Sequence, residues 1–336
     1  MKPILRAALG LAFLCVAVLL SSYSGANNLP AASISASAES VAKSKVLSGK
    51  NIWRQNVVIP SGVTVTVDKG ASLYIMDDAE VTLRGRIKVR NGGSLYIRGK
   101  LISQEGSLLS NNGKVKILSM GSISLSGTCN ITSTAQIKGT GRLIVNNLFS
   151  DINCKGKVTC KIVPPEPITA NGVTTVGGVI IVNRLYHLPQ DYGTGLDEAA
   201  YSALLKMRKA SGCEMTIVSG FRSYEKQRKT FAYWENIDGF ERASMYSAQP
   251  GQSEHQTGLA MDITSLKTSY KDTDEGRWLA ANCYKHGFII RYPENSTDIT
   301  GYIFEPWHIR YLGESTARLV YFSGVTLEEF LGVKGR

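Results

Sequence analysis

Apolar and polar residues alternate along this chain in two different rhythms. Between about residues 46 and 163 the apolar positions recur every second residue in short runs broken by Gly, Asn and Asp. Such a period places successive side chains on opposite faces of a strand. Ser72-Leu73-Tyr74-Ile75 returns 22 residues later as Ser94-Leu95-Tyr96-Ile97, and Val115-Lys116-Ile117-Leu118 follows after another 21. Arg142-Leu143-Ile144-Val145 lies farther on, and residues 80–83 and 86–89 read as strands in between. A quasi-repeat of roughly 20 residues with no helical spacing predicts a β-solenoid, in which each coil buries a face on its neighbour. A sandwich of short strands is the alternative.

The second rhythm begins near residue 179. Leu196, Ala199, Ala200, Ala203, Leu204 and Met207 follow helical spacing, with Gly212 just beyond as a stop. Residues 216–218 predict a strand that leads into a turn at Arg222. Residues 275–286 predict a second helix with Trp278, Leu279 and Cys283 on its apolar side, and 289–292 and 303–311 predict strands. This mixture implies an α+β domain over 179–336, an antiparallel sheet with helices, long enough to build its own core. Pro164-Pro165-Glu166-Pro167 and Asn171-Gly172 mark a linker over 164–178.

The N-terminus sets the compartment. Lys2 and Arg6 precede an apolar run over 7–20, and Ser24-Gly25-Ala26 offers a cleavage site. The run is shorter than a spanning helix, so 1–26 reads as a signal peptide, with an uncleaved anchor as the alternative. Cys15 lacks the small preceding residue of a lipoprotein site. The Ala- and Ser-rich stretch over 27–45 reads as a flexible tether. Export leaves Cys129, Cys154, Cys160, Cys213 and Cys283, an odd set in which Cys154 and Cys160 are near enough for a local disulfide. No CxxC pair is present to suggest a cysteine metal site. A net charge of +11 suits the anionic polymers and membrane surface of a bacterial envelope. Nucleic acid is the other partner that basic charge allows, but no binding motif accompanies it.

Chemistry concentrates in the last third. His255 and Asp262 stand seven residues apart, and Glu305 precedes His308 by three. Two imidazoles and a carboxylate fill three positions of a tetrahedral zinc and leave the fourth for water. The second carboxylate then takes that water's proton. The bland alternative is a set of ordinary surface or core polar residues, yet two of the chain's four His fall in these clusters. On a strand, Ala260, Asp262 and Thr264 share one face, with Met261 and Ile263 on the other. Glu305 and His308 would point to opposite faces of a regular strand, and Pro306 favours a break that lets both reach one point. His187 reads as an exposed or packing residue, and His286 as a helix-end residue placed by the helix dipole.

Three separated stretches, Ser219-Gly220-Phe221-Arg222-Ser223 with Gln227, residues 253–262, and Glu305-Pro306-Trp307-His308, resemble the VanY-type D-alanyl-D-alanine carboxypeptidase family. That family belongs to a group of zinc peptidases with the lysostaphin-type enzymes and the hedgehog domain. The resemblance runs from about 183 to 313, takes in Asn183-Arg184-Leu185-Tyr186 and 287–293, and leaves the first 160 residues untouched. It implies that His255, Asp262 and His308 hold Zn2+ and that Glu305 is the general base. Arg222 then polarises the scissile carbonyl and holds the oxyanion, or grips the peptide carboxylate. Ser253 and Gln227 fall at positions near substrate. The implied protein is an exported D,D-carboxypeptidase acting on peptidoglycan stem peptides in the cell envelope or outside the cell, in the periplasm where the host has an outer membrane. An L,D-carboxypeptidase on tetrapeptide stems, an endopeptidase, and a non-catalytic peptide-binding protein of the envelope are the alternatives; Glu305 argues against the last. Membrane contact is expected only if the N-terminal segment stays uncleaved. The repeat region offers no concentrated chemistry and reads as a spacer or envelope-binding module, dispensable for the reaction.

Overall fold

Residues 39–163 wind into a three-sided β-solenoid in the computed structural model of the protein, which describes residues 38–336. The expected signal peptide, and the expected tether up to residue 37, lie outside the described residues. Among the described residues no helix is long and apolar enough to cross a membrane. Each full coil contributes one strand to each of three parallel sheets, of seven, six and six strands. The period-two pattern sends Leu73 and Ile75 inward, where they stack on Leu95 and Ile97 and then on Val115 and Ile117. Tyr74 and Tyr96 face outward from the same strands, their rings 4.5 Å apart and within 6° of parallel. At a corner between coils, any Cβ on Gly99 would lie 2.2 Å from the carbonyl oxygens of Met76 and Ala79, so the turn admits only glycine.

The boundaries differ from those the sequence suggests. Glu39 and Ser40 already pair with Val57 and Val58, so the first coil reaches into the Ser-rich stretch, where Val41 and Leu47 supply apolar anchors. Residues 164–178 hold a proline run followed by the strands Ile168–Ala170 and Val173–Val176, which form an antiparallel meander with Val179–Ile180. The chain does not part there. The helix Glu314–Ser323 lies across the last coils: Cys154 N donates to Ser315 Oγ at 3.0 Å, and Thr316 Oγ1 donates to Leu148 O at 3.0 Å. Leu148, Ile152 and Val158 share one apolar cluster with Ala317, Val320 and Leu327. A solenoid needs a cap on its open end, and here the helix is that cap. Cys154 and Cys160 are both free and buried in the last coils.

The α+β part is built on a second cluster that includes Leu204, Met207, Met261, Ile263, Leu279, Phe288 and Ile309. Its antiparallel sheet runs in the order Ile217–Ser219, Ala260–Ile263, His308–Tyr311, Phe288–Ile290. The expected first helix spans Glu198–Ser211, with Asp197 capping Ala200 N at 2.8 Å and Gly212 closing it in the left-handed conformation. The expected second helix divides into an α segment Asp274–Asn282 and a 3-10 turn Cys283–His286. The strand expected over 303–311 shortens to His308–Tyr311, because Pro306 and Trp307 form a turn closed by His308 N to Glu305 O at 3.1 Å.

Removing the solenoid would uncover the apolar face of Glu314–Ser323. Each large apolar side chain returned to water costs about 1.5–3 kcal/mol, and a kcal/mol is worth roughly 2–4 °C in a chain of this size. A chain starting at Thr169 is therefore expected to melt at least ~10 °C below the full-length protein. Thermal unfolding of the two proteins checks this; equal melting temperatures would show that the α+β part holds the helix unaided.

Candidate active site

The strand register places Asp262 directly opposite His308 on neighbouring antiparallel strands. Met261 and Ile309 point to the other face and are fully buried in the core, so the same alternation that fills the core turns the acid and the imidazole toward the cleft. His255 arrives on the 3-10 turn Glu254–Thr257, which ends at Gly258 with φ 73. A Cβ on Gly258 would lie 2.3 Å from Gly195 O, so glycine is required on both counts. His255 Nδ1 lies 2.9 Å from Gly220 O, which turns Nε2 toward Asp262 Oδ2 at 3.2 Å. His308 Nδ1 lies 3.2 Å from Asp262 Oδ1 and 3.4 Å from Glu305 Oε2. The turn at Pro306 is what brings Glu305 back beside His308. All four side chains are buried.

Their mutual charge sets their protonation. Burial alone would raise Asp262, but His255 and His308 beside it hold its carboxyl well below the usual range. Burial raises Glu305, and His308 offsets only part of that rise, so this carboxylate is the more basic of the two. Burial would lower His308, yet Asp262, Glu254 and Glu305 together lift it well above its ordinary value.

Arg222 follows the strand Ile217–Ser219 and reaches toward the same point, its Nη2 3.8 Å from Asp262 Oδ2. Ser219 Oγ accepts from Nη2 at 2.7 Å and Gln227 Oε1 from Nη1 at 2.9 Å. Gln227 is fully buried and also donates to Ala248 O at 2.5 Å, so it orients Arg222 and does not line the cleft. Ser253 does line it. The cleft holds about 470 Å³, with Trp234, Tyr246, Tyr302 and Trp307 as aromatic walls around the charged group. His187 and His286 lie apart from it: His187 contacts Arg184 O at 2.9 Å, and His286 stacks on Trp278 with ring centroids 5.9 Å apart.

Glu254, Arg291, Arg310 and Glu328 form a charge cluster with no more than 1 % exposure at any member. Glu254 Oε1 accepts from Arg291 Nε and Arg310 Nη1, each at 2.7 Å, and Arg291 makes a two-pronged pair with Glu328 at 2.9 and 2.5 Å. The signal in the sequence is single charged residues set beside apolar neighbours: Arg291 between Ile290 and Tyr292, Arg310 between Ile309 and Tyr311, and Glu328 beside Leu327.

His255, Asp262 and His308 bring one donor atom each within 4.8 Å of one another. Asp262 Oδ1 is buried without a hydrogen-bond partner although His308 Nδ1 is 3.2 Å away, so the two do not meet in hydrogen-bond geometry. Two imidazole nitrogens and a carboxylate turned to a common point are a donor set that fits a divalent zinc-like ion.

The VanY family, described as D-alanyl-D-alanine carboxypeptidase, matches residues 195–314. YodJ of Bacillus subtilis (strain 168), a carboxypeptidase candidate by name, is 44% identical over 137 residues; the match covers 39% of this chain and spans half of that relative, 50% of its length. VanXYC of Enterococcus gallinarum, named a bifunctional D-Ala-D-Ala dipeptidase and D-Ala-D-Ala carboxypeptidase, is 33% identical over 135 residues, covering 37% of this chain and 71% of that protein. Among solved structures, the LdcB LD-carboxypeptidase shares 37% identity over 51% of this chain and 97% of its own, with a TM-score of 0.47.

The cluster predicts a pH profile for the metal-free protein. His308 is raised above its ordinary 6.5 and Glu305 above its ordinary 4.5. A raised group contributes stability that is complete below its unfolded pKa and is lost as pH rises through the folded value. Asp262 and Glu254 are lowered, so their contributions are complete above the ordinary carboxylate range and are lost on acidification. The chelator-treated full-length chain should melt highest near about pH 4.5 and lose stability from there toward about pH 8, as first the Glu305 and then the His308 contribution is lost. Thermal unfolding across that range checks it, and a flat or rising profile toward pH 8 would contradict this set of interactions.

Proposed function

Because the chain belongs to the VanY-type D-alanyl-D-alanine carboxypeptidase family, we propose that it is an exported zinc peptidase that removes the terminal D-alanine from peptidoglycan stem peptides. The observation that carries this reading is the convergence of His255, Asp262, His308, Glu305 and Arg222 on one cleft. His255, Asp262 and His308 are the residues that would hold the zinc. Zinc bound there supplies Lewis-acid polarisation and lowers the pKa of a water to about 7.

The chain's own groups do the rest. Glu305, raised by burial, accepts a proton from the attacking water as its oxygen bonds to the scissile carbonyl carbon. The same carboxyl then gives that proton to the nitrogen of the departing D-alanine as the C–N bond breaks. Arg222 keeps its charge throughout, and Ser219 and Gln227 hold its guanidinium in place to face the developing oxyanion. The aromatic walls offer apolar surface to alanine methyls and a peptide backbone. Export is supported by the charged start, apolar run and small residues of 1–26, and a net charge of +11 suits an anionic envelope.

Purified protein is expected to carry one zinc per chain and to lose it when His255 and His308 are both replaced by Ala. Glu305→Ala should keep the metal and lose about 10²–10⁴-fold in turnover, the usual worth of a positioned base. Arg222→Ala should lose about 10²–10³-fold. Mass spectrometry of defined stem peptides is the deciding assay, with free D-alanine expected from the pentapeptide. Cleavage of the tetrapeptide alone would make the protein an L,D-carboxypeptidase, and cleavage of neither would leave an endopeptidase or a peptide-binding role.

A further inference from the structure

The two imidazoles at the centre are secured differently. His255 has its outer nitrogen on Gly220 O at 2.9 Å. The outer nitrogen of His308, Nε2, is buried and has no hydrogen-bond partner. It faces Glu254 Oε2 at 3.8 Å, and that oxygen is also buried without a partner. Both arginine bonds to Glu254 land on the other oxygen, Oε1. A fully buried carboxylate oxygen with no donor is costly, so a carboxylate held this way needs a reason. We propose that Glu254 is a positioning residue whose free oxygen is the acceptor toward which His308 directs its Nε2–H, fixing the ring so that its Nδ1 lone pair turns to the same point as the donor atoms of Asp262 and His255. This rests on the reading of those three residues as the metal ligands.

The surroundings explain why Glu254 stays put. Arg291, just past the strand Phe288–Ile290, and Arg310, on His308–Tyr311, clamp Oε1 from two sides, and Glu328 pairs with Arg291, so the cluster carries two positive and two negative charges. Arg310 Nη2 also donates to Ile180 O at 2.8 Å, and Asn183 Nδ2 to Glu328 Oε1 at 3.3 Å. The carboxylate cannot rotate to share its bonds without breaking a charged contact, which leaves Oε2 for His308. An outer partner of this kind sets a ligand's tautomer and basicity, and its loss commonly weakens metal binding about 10–100-fold.

Glu254→Gln separates this role from simple packing. Two arginines would compete for the single amide oxygen, which leaves the amide NH₂ facing Nε2–H, donor against donor. Glu328→Gln is the control, since it removes the same charge from the same cluster without facing His308. Full-length protein is titrated with Zn2+ against a chromophoric chelator, and the His308 ring protons are followed by ¹⁵N-edited NMR. The expected result is zinc binding about 10–100-fold weaker in E254Q and little changed in E328Q. A downfield, slowly exchanging Nε2–H signal should appear in wild type and E328Q and be lost in E254Q. Zinc binding unchanged in E254Q, or weakened equally in both variants, would overturn the proposal. So would absence of that proton signal in the wild type, a measurement that stands even if E254Q does not fold. A wild type that binds no zinc would sink the metal reading instead, and the proton signal would still decide the role of Glu254.

Discussion

The site depends on one cross-strand pairing, Asp262 opposite His308. Side chains alternate along both strands, so a slip of one residue would turn Met261 or Ile309 toward the cleft and drive the acid and imidazole into the core. The register is held by apolar burial: Met261, Ile263 and Ile309 are fully excluded from water in one cluster. The core and the chemistry are two faces of the same strands. The remaining groups come to that pair by local devices. A glycine-closed turn delivers His255, a turn at Pro306 delivers Glu305, and a strand end with a buried glutamine delivers Arg222.

Beneath the site lies an arrangement that folding alone would not favour. Removing two arginines and two glutamates from water carries a desolvation penalty that their attraction offsets only with good geometry. Here the geometry is good, with contacts of 2.5 to 2.9 Å and matched charge. Such a cluster is sensitive to small displacements, which makes it a rigid footing for a neighbouring imidazole. It also ties the site to the terminal helix Leu327–Leu331, through Glu328. That helix belongs to the same apolar cluster as Glu314–Ser323 and the last solenoid coils. The solenoid is therefore continuous with the packing that supports the site, although none of its side chains lines the main cleft.

The local patterns were readable in the sequence because they rest on short-range rules. Period two in 72–75 and 94–97 set the inward Leu and Ile, and the quasi-repeat set the coil. Helical spacing with Asp197 and Gly212 at its ends set Glu198–Ser211. Pro306 marked the end of a strand because proline lacks the donor a ladder needs. The spacing of His255, Asp262, Glu305 and His308 identified a donor set, since those residue types have few other uses in such proximity.

What tertiary structure decided were relations between residues far apart in the chain. Glu254 and Glu328 are 74 positions apart, yet both meet Arg291, and no periodicity records that meeting. Gln227 sits at a motif position near substrate, but folding turned it inward onto Arg222. The proline run looks like a linker, yet packing of a distant helix joined the parts on either side of it. A sequence by itself determines which faces are apolar and where the backbone must turn. Which buried charges find one another is settled only when those faces close, because the energy of such contacts depends on distances that chain spacing does not carry.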